Sequence, residues 1–274
     1  MDRTPDFAAM LRGWRRHRGM SQLTLAHEAD VSQRHVSFLE LGRTKPSRDM
    51  VLRLAGALDL PLREQNALLL AAGYAPIWRR SALGSTDMAI IDQALDFMLA
   101  QHEPFPAFVI DHRWNLLRTN VGGQHFAGFL TDQPPFAPDP AAPINLADAF
   151  LAPQPMRPKF VNWRDVAGYF IRSVRANALA EGTSETRQQL EGLLGYPDVR
   201  AVLDTLPAAS APAPALTMEI DNGDTRMKLF TTLASLGMPL DVTAQEIRVE
   251  CFFPADDASA TVFRRWAETD RQLL

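Results

Sequence analysis

The stretch from Ser21 to Glu40 constrains this chain more than any other part of it. Leu23, Ala26, Val31, Val36 and Leu39 supply one apolar face at helical spacing. Ser21 and Ser32 stand where two short helices would begin, each hydroxyl placed to accept from an orphan backbone N–H. Between them lies Asp30, which tolerates a left-handed backbone better than most residues, and Ala26 is small enough for the two helices to approach closely. The pattern predicts two helices joined by a tight turn.

The flanks extend this into a helical domain. Residues 6–19 place Phe7, Leu11 and Trp14 at helical spacing. After the polar loop 41–46, Ser47 caps a fourth helix in which Met50, Leu52, Leu54, Ala55 and Leu58 are apolar. A fifth runs from Pro61 or Leu62 to Ala72, with Gly73 as its stop. Residues 1–76 therefore read as an all-α domain of five helices, 77–85 as a linker, and 86–274 as a second domain.

The exposed start of the second helix in the pair is the end that enters the major groove of DNA in a helix-turn-helix. Ser32, Gln33, Arg34, His35 and Ser37 lie there and are the expected base-reading residues. Gln can pair with adenine and Arg with guanine, each contributing about 1–3 kcal/mol of discrimination. Gln22, at the start of the preceding helix, is placed to hold a phosphate beside backbone N–H groups. Arg43, Lys45 and Arg48, around the following loop, are the further phosphate contacts, whereas Arg12, Arg16 and Arg18 read as solvated helix residues. Charge agrees with this division: residues 1–80 carry 13 Lys and Arg against 8 Asp and Glu, and the rest of the chain 15 against 24.

Residues 11–58 resemble the helix-turn-helix domain of the phage-repressor-like (XRE) regulators. The match runs through Arg15, Gly19-Met20-Ser21-Gln22, Leu25-Ala26, Val31-Ser32, Val36-Ser37, Leu39-Glu40-Leu41-Gly42-Arg43 and Pro46. The resemblance implies a structural ion pair between Arg15 and Glu40, base contacts from Ser32, Gln33, Arg34 and Ser37, and a phosphate contact from Gln22. The run from Pro61 to Pro76 is similar to the subgroup with an MmyB-like ligand-binding domain, as are Phe105-Pro106-Ala107, Trp114 to Asn120, and Trp163 to Tyr169. That likeness implies a PAS-like C-terminal domain and a small apolar, fatty-acid-like effector.

Read residue by residue, the C-terminal part is α+β. A helix over 86–101 turns Ile90, Ile91, Ala94, Leu95 and Met98 inward. Strands fall at 107–110, 114–118, 216–220, 227–233 and 247–253, making an antiparallel sheet of about five, with a hairpin turn at 221–224. Helices occupy 163–181, 184–195 and 197–206, 131–144 is a Pro-rich loop, and the Ala/Pro stretch 207–215 is a spacer. An effector pocket would be lined by Phe108, Trp114, Asn115, Phe126, Trp163, Tyr169 and Arg172, with Phe105, Phe129, Phe170 and Asn120 as further candidates.

Catalysis finds no support in the pattern. The six His show no metal-ligand spacing, no nucleophile–base arrangement is evident, and no metal or cofactor is expected. Gly122-Gly123 is no phosphate loop, and Cys251 reads as an inert thiol in an apolar strand. No apolar run spans a membrane and no signal-peptide core opens the chain, so a cytoplasmic protein is expected. One recognition helix covers few base pairs, so a homodimer on a palindromic operator in double-stranded DNA is expected, without a membrane partner. The alternatives are a C-terminal half that serves only as a dimerisation or partner platform, or an enzyme fused to an autoregulatory DNA-binding head.

Overall fold

Ser21, Ser32 and Ser47 each accept a hydrogen bond from the backbone N–H three residues on, and each begins a helix in the computed structural model of the chain. The structure describes residues 6–139, 142–181, 183–205 and 216–273; the expected spacer 207–215 lies outside them. The chain divides into two compact units, one holding residues up to Ala82 together with Met238–Gln245, the other the remainder.

The first unit contains α1 (Phe7–His17), α2 (Gln22–Glu28), α3 (Gln33–Glu40), α4 (Arg48–Ala57) and α5 (Leu62–Ala71). The α2–α3 turn passes through Asp30 in the left-handed conformation (φ 51°), and Gly73 ends α5 with φ 87°. Leu11, Leu25, Val36, Leu39, Leu54 and Leu68, all fully buried, form the centre of one core. Arg18 is not merely solvated. Its guanidinium donates to the carbonyls of Leu58 and Asp59, and so satisfies the C-terminal end of α4.

Residues from far along the chain complete this unit. The Gln245 side-chain oxygen accepts from the Leu62 N–H at 2.7 Å, at the start of α5, where Pro61 has no capping side chain. Asp241 accepts from the Ser81 N–H, and the Val242 N–H donates to the Arg79 carbonyl.

The second unit begins with a 3-10 turn at Thr86–Met88 and then α6 (Ala89–Gln101), β1 (Ala107–Ile110), β2 (Leu116–Thr119), α7 (Val121–Thr131) and α8 (Leu146–Leu151). There follow α9 (Trp163–Glu181), α10 (Ser184–Leu194), α11 (Val199–Thr205), β3 (Thr217–Asp221) and β4 (Arg226–Ser235). The order ends with β5 (Arg248–Pro254) and α13 (Asp257–Leu273), whereas all but the last residue of α12 (Val242–Glu246), between β4 and β5 in sequence, belong to the first unit. All pairings in the five-stranded sheet are antiparallel, in the order β2-β1-β5-β4-β3, so the last strand fills the centre. Side chains alternate across it. One face carries Phe108, Ile110, Met218, Ile220, Leu229 and Phe252 into a core shared with Phe126, Phe150, Val166, Phe170 and Phe263 from the helices.

Leu23, expected on the apolar face of the helix pair, is 62% exposed. Ile90 is 82% exposed, because α6 buries Leu95 and Leu99 instead. Gly122-Gly123 lies in the first turn of α7, with Asn120 as its cap. A Cβ at Gly123 would fall on Thr119 Oγ1 and within 3.2 Å of the Ala107 carbonyl oxygen. Glycine is needed there for close approach to β1, whatever its poor helix propensity. Gly123→Ala should therefore lower stability by about 1–3 kcal/mol through overpacking. A urea midpoint unchanged from wild type would show that β1 and α7 can separate freely.

Candidate nucleic-acid interface and interior cavity

The capped start of α3 leaves Ser32, Gln33 and Arg34 exposed, with His35 and Ser37 half-buried on the same helix. The hydroxyl of Ser32 accepts from the His35 N–H at 3.2 Å, which fixes the first turn. Phe38 is a feature the sequence reading passed over. The Arg34 guanidinium lies 5.1 Å from its ring centre and that of Arg43 lies 5.8 Å away, so one aromatic face positions a base-reading and a phosphate-contacting candidate together. The four-residue step from Arg34 to Phe38 is the sequence signal for it. Arg43, Lys45 and Arg48 are all exposed.

Behind this surface the structure brings Arg15 and Glu40 together. Glu40 is 2% exposed, and Arg15 grips both its oxygens, Nε to Oε1 at 2.6 Å and a terminal nitrogen to Oε2 at 2.9 Å. Gln22 donates to the same Oε2 at 2.8 Å. The amide of Gln22 is thus held by Glu40 and keeps one further N–H for another acceptor. Arg12 is also drawn in, donating to the Glu40 carbonyl. Together Arg12, Arg15, Arg16, Gln22, Ser37 and Glu40 line a polar recess of about 240 Å³, so Arg12 and Arg16 border the interface and do not simply point into solvent.

Burial alone would push the Glu40 carboxyl up; hydrogen bonds from Arg15 and Gln22, with the charges of Arg15 and Arg12, outweigh it and hold the carboxyl below its ordinary range. A depressed pKa contributes stability that is present above the unfolded value and lost as pH falls through the folded one.

The second unit holds an apolar cavity of about 20 Å³, lined by Phe108, Leu116, Phe126, Phe136, Phe150 and Met156 among others. That is room for about one water molecule. Of the expected lining, Phe108 and Phe126 reach it. Trp114 and Tyr169 pack in the surrounding core, as does Phe170, with Phe105 and Phe129 half-buried against it. Asn115 instead stitches its own turn, donating to Asp111 and accepting from Asn145. Asn120 caps α7, Trp163 lies under the Arg157 guanidinium at 3.5 Å, and Arg172 is exposed on α9. None of these four lines the cavity.

Glu250 was not foreseen. It sits on the central strand β5, opposite Phe108 on one side and Leu233 on the other, and is 0% exposed. Of the described groups the Thr231 hydroxyl bears on this carboxyl, and the Trp114 indole N–H is buried without an acceptor. Burial pushes the Glu250 carboxyl up to about 8, with the nearby Thr231 hydroxyl opposing the shift. Burial also pushes the Tyr169 phenol up to about 12; the charge of Glu250 adds to the effect and that of Arg248 opposes it. A carboxylate inside an otherwise apolar strand was the sequence signal.

Among the described residues no group of His, Cys, Asp and Glu could hold a metal ion, and no helix is long and apolar enough to cross a membrane. A capped, exposed α3 on a five-helix unit, followed by a separate α+β unit, defines a DNA-binding transcription regulator with a ligand-binding domain. A helix-turn-helix family model matches residues 11–65, and the MmyB-like transcription regulator ligand binding domain matches residues 91–265. The second match covers more than half of the chain, which therefore belongs to that family. No curated protein matches it.

Glu40→Ala should destabilise the helical unit by about 3–5 kcal/mol, because it strands Arg15. Wild type should also lose stability below about pH 4.5 more steeply than the variant. Thermal melts at a series of pH values check both, and a variant that melts with wild type would remove the pair from any structural role.

Proposed function

We propose that this protein is a sequence-specific regulator that reads its operator with α3. Ser32, Gln33, Arg34, His35 and Ser37 contact base edges, while Gln22, Arg43, Lys45 and Arg48 hold phosphates. The observation that carries this reading is the capped, exposed start of α3, with Arg34 and Arg43 ranged about Phe38. A homodimer sets two such helices on a palindromic site, half-sites about one helical turn apart. The protein works in the cytoplasm without catalytic activity, and its second unit binds a small, largely apolar effector.

A second reading is favoured by one observation. The cavity is small enough that the second unit can serve as a dimerisation or partner platform with no effector. Mass spectrometry of whatever the denatured full-length protein releases separates the two. A stoichiometric small molecule supports the effector reading, and its absence from protein purified under native conditions favours the platform.

Arg34→Ala should cost about 1–3 kcal/mol on the operator and little on random DNA. Arg43→Ala should weaken both and reduce the slope of log K against log salt by about 1. Titrations at several salt concentrations distinguish them. A uniform loss for Arg34→Ala would make it a phosphate contact, and an unchanged slope for Arg43→Ala would exclude that residue from the phosphate set.

A further inference from the structure

We propose that the polar recess of the first unit takes one phosphate of the DNA backbone, held by Arg12 and Arg16 together with Gln22. The inference rests on the operator reading above and adds two arginines to its phosphate set.

Helical geometry brings the charges together. Arg12 and Arg16 are four residues apart on α1, so their side chains lie on one face a single turn apart, and Arg15 adjoins both. All three line the recess, with Gln22 from α2 and Ser37 and Glu40 from α3. Glu40 is the one acidic group among the lining residues, and Arg15 and Gln22 already occupy its oxygens. Three guanidiniums against one carboxylate leave the recess with a formal excess of two positive charges. Like charges one turn apart on a helix repel, and an anion between them removes that cost.

The donors are free as well as charged. Arg12 donates to the Glu40 carbonyl, yet its side chain is 40% exposed. Arg16 is exposed, and its guanidinium has no hydrogen bond or ion pair with any described residue. Gln22 gives one amide N–H to Glu40 and has a second to spare. A phosphodiester presents two unbridged oxygens sharing one negative charge, and the guanidinium fork matches such a pair of acceptors. There is room for that group: the recess measures about 240 Å³, where one water needs roughly 10–15 Å³. A phosphorylated small molecule offers the same chemistry. The position of the recess favours DNA, because Gln22 and Ser37 belong both to its lining and to the proposed DNA-contacting set.

The test uses the full-length protein, titrated with a short duplex of arbitrary sequence at several salt concentrations. A parallel calorimetric titration uses inorganic phosphate alone at constant ionic strength. Arg16→Ala should weaken duplex binding about three- to tenfold at low salt and reduce the slope of log K against log salt by about 1. Arg16→Lys should restore the slope but only part of the affinity, since the charge returns without the fork. Inorganic phosphate should show no binding that depends on Arg16. An unchanged slope for Arg16→Ala, with Arg43→Ala still lowering it, would overturn the proposal and leave the operator reading intact. That unchanged slope, together with inorganic phosphate binding that Arg16→Ala abolishes, would overturn it in favour of a small phosphorylated ligand. If neither arginine variant alters duplex binding, the operator reading falls as well.

Discussion

The placing of α3, the proposed DNA-reading helix, depends on one buried carboxylate. Glu40 is the last residue of α3, and Arg15 from α1 and Gln22 from α2 both close on it. Three helices are thereby tied at one point, by hydrogen bonds that a shift of about one ångström would break. The bidentate geometry matters as much as the charge, since a fork of two parallel bonds resists rotation as well as separation. The exposed residues at the other end of α3 are then carried on a rigid rod whose far end is fixed. Base readout requires such preorganisation, because a contact that must first be ordered loses discrimination to the entropy of ordering it.

That arrangement also changes how the arginines of α1 are understood. Taken by helical position, Arg12, Arg15, Arg16 and Arg18 look alike. In the fold Arg15 is consumed by Glu40, Arg12 reaches the Glu40 carbonyl, and Arg18 satisfies the end of α4, which leaves Arg16 exposed at the recess. Basic residues of the first unit are therefore not interchangeable contributors to a positive surface.

How much of this was legible follows the range of the interactions. Serine caps, the Asp30 turn and the apolar periods of α1 to α5 are local, and each could be read in a window of about a dozen residues. The strands were legible for the same reason. What escaped were outcomes set by distant partners. The first turn of α7 holds two glycines that disfavour helix, explained by the closeness of the Pro104-Phe105 backbone to Gly122 and of Thr119, Ala107 and Phe108 to Gly123. Ile90 is apolar and points outward because Leu95 and Leu99 already occupy the buried side of α6. Met238–Gln245 lie between β4 and β5 in sequence but pack with the first unit. The expected pocket was built from aromatic residues, yet Trp163 was committed to the guanidinium of Arg157 and Asn115 to a turn whose partner Asn145 is remote.

Two of the buried carboxylates, Glu40 and Glu250, show why burial alone does not assign a role. Glu40 and Glu250 are both almost fully removed from water. Glu40 has a guanidinium and an amide on its oxygens, its carboxyl is held low, and it stabilises the fold at neutral pH. Glu250 has only the Thr231 hydroxyl to offset its burial and its carboxyl is pushed up to about 8, so ionising it costs stability as pH rises toward that value. One carboxylate has its partners inside the chain and acts as a fastening. The other has no cation to compensate its burial, only a hydroxyl, and so resists ionisation.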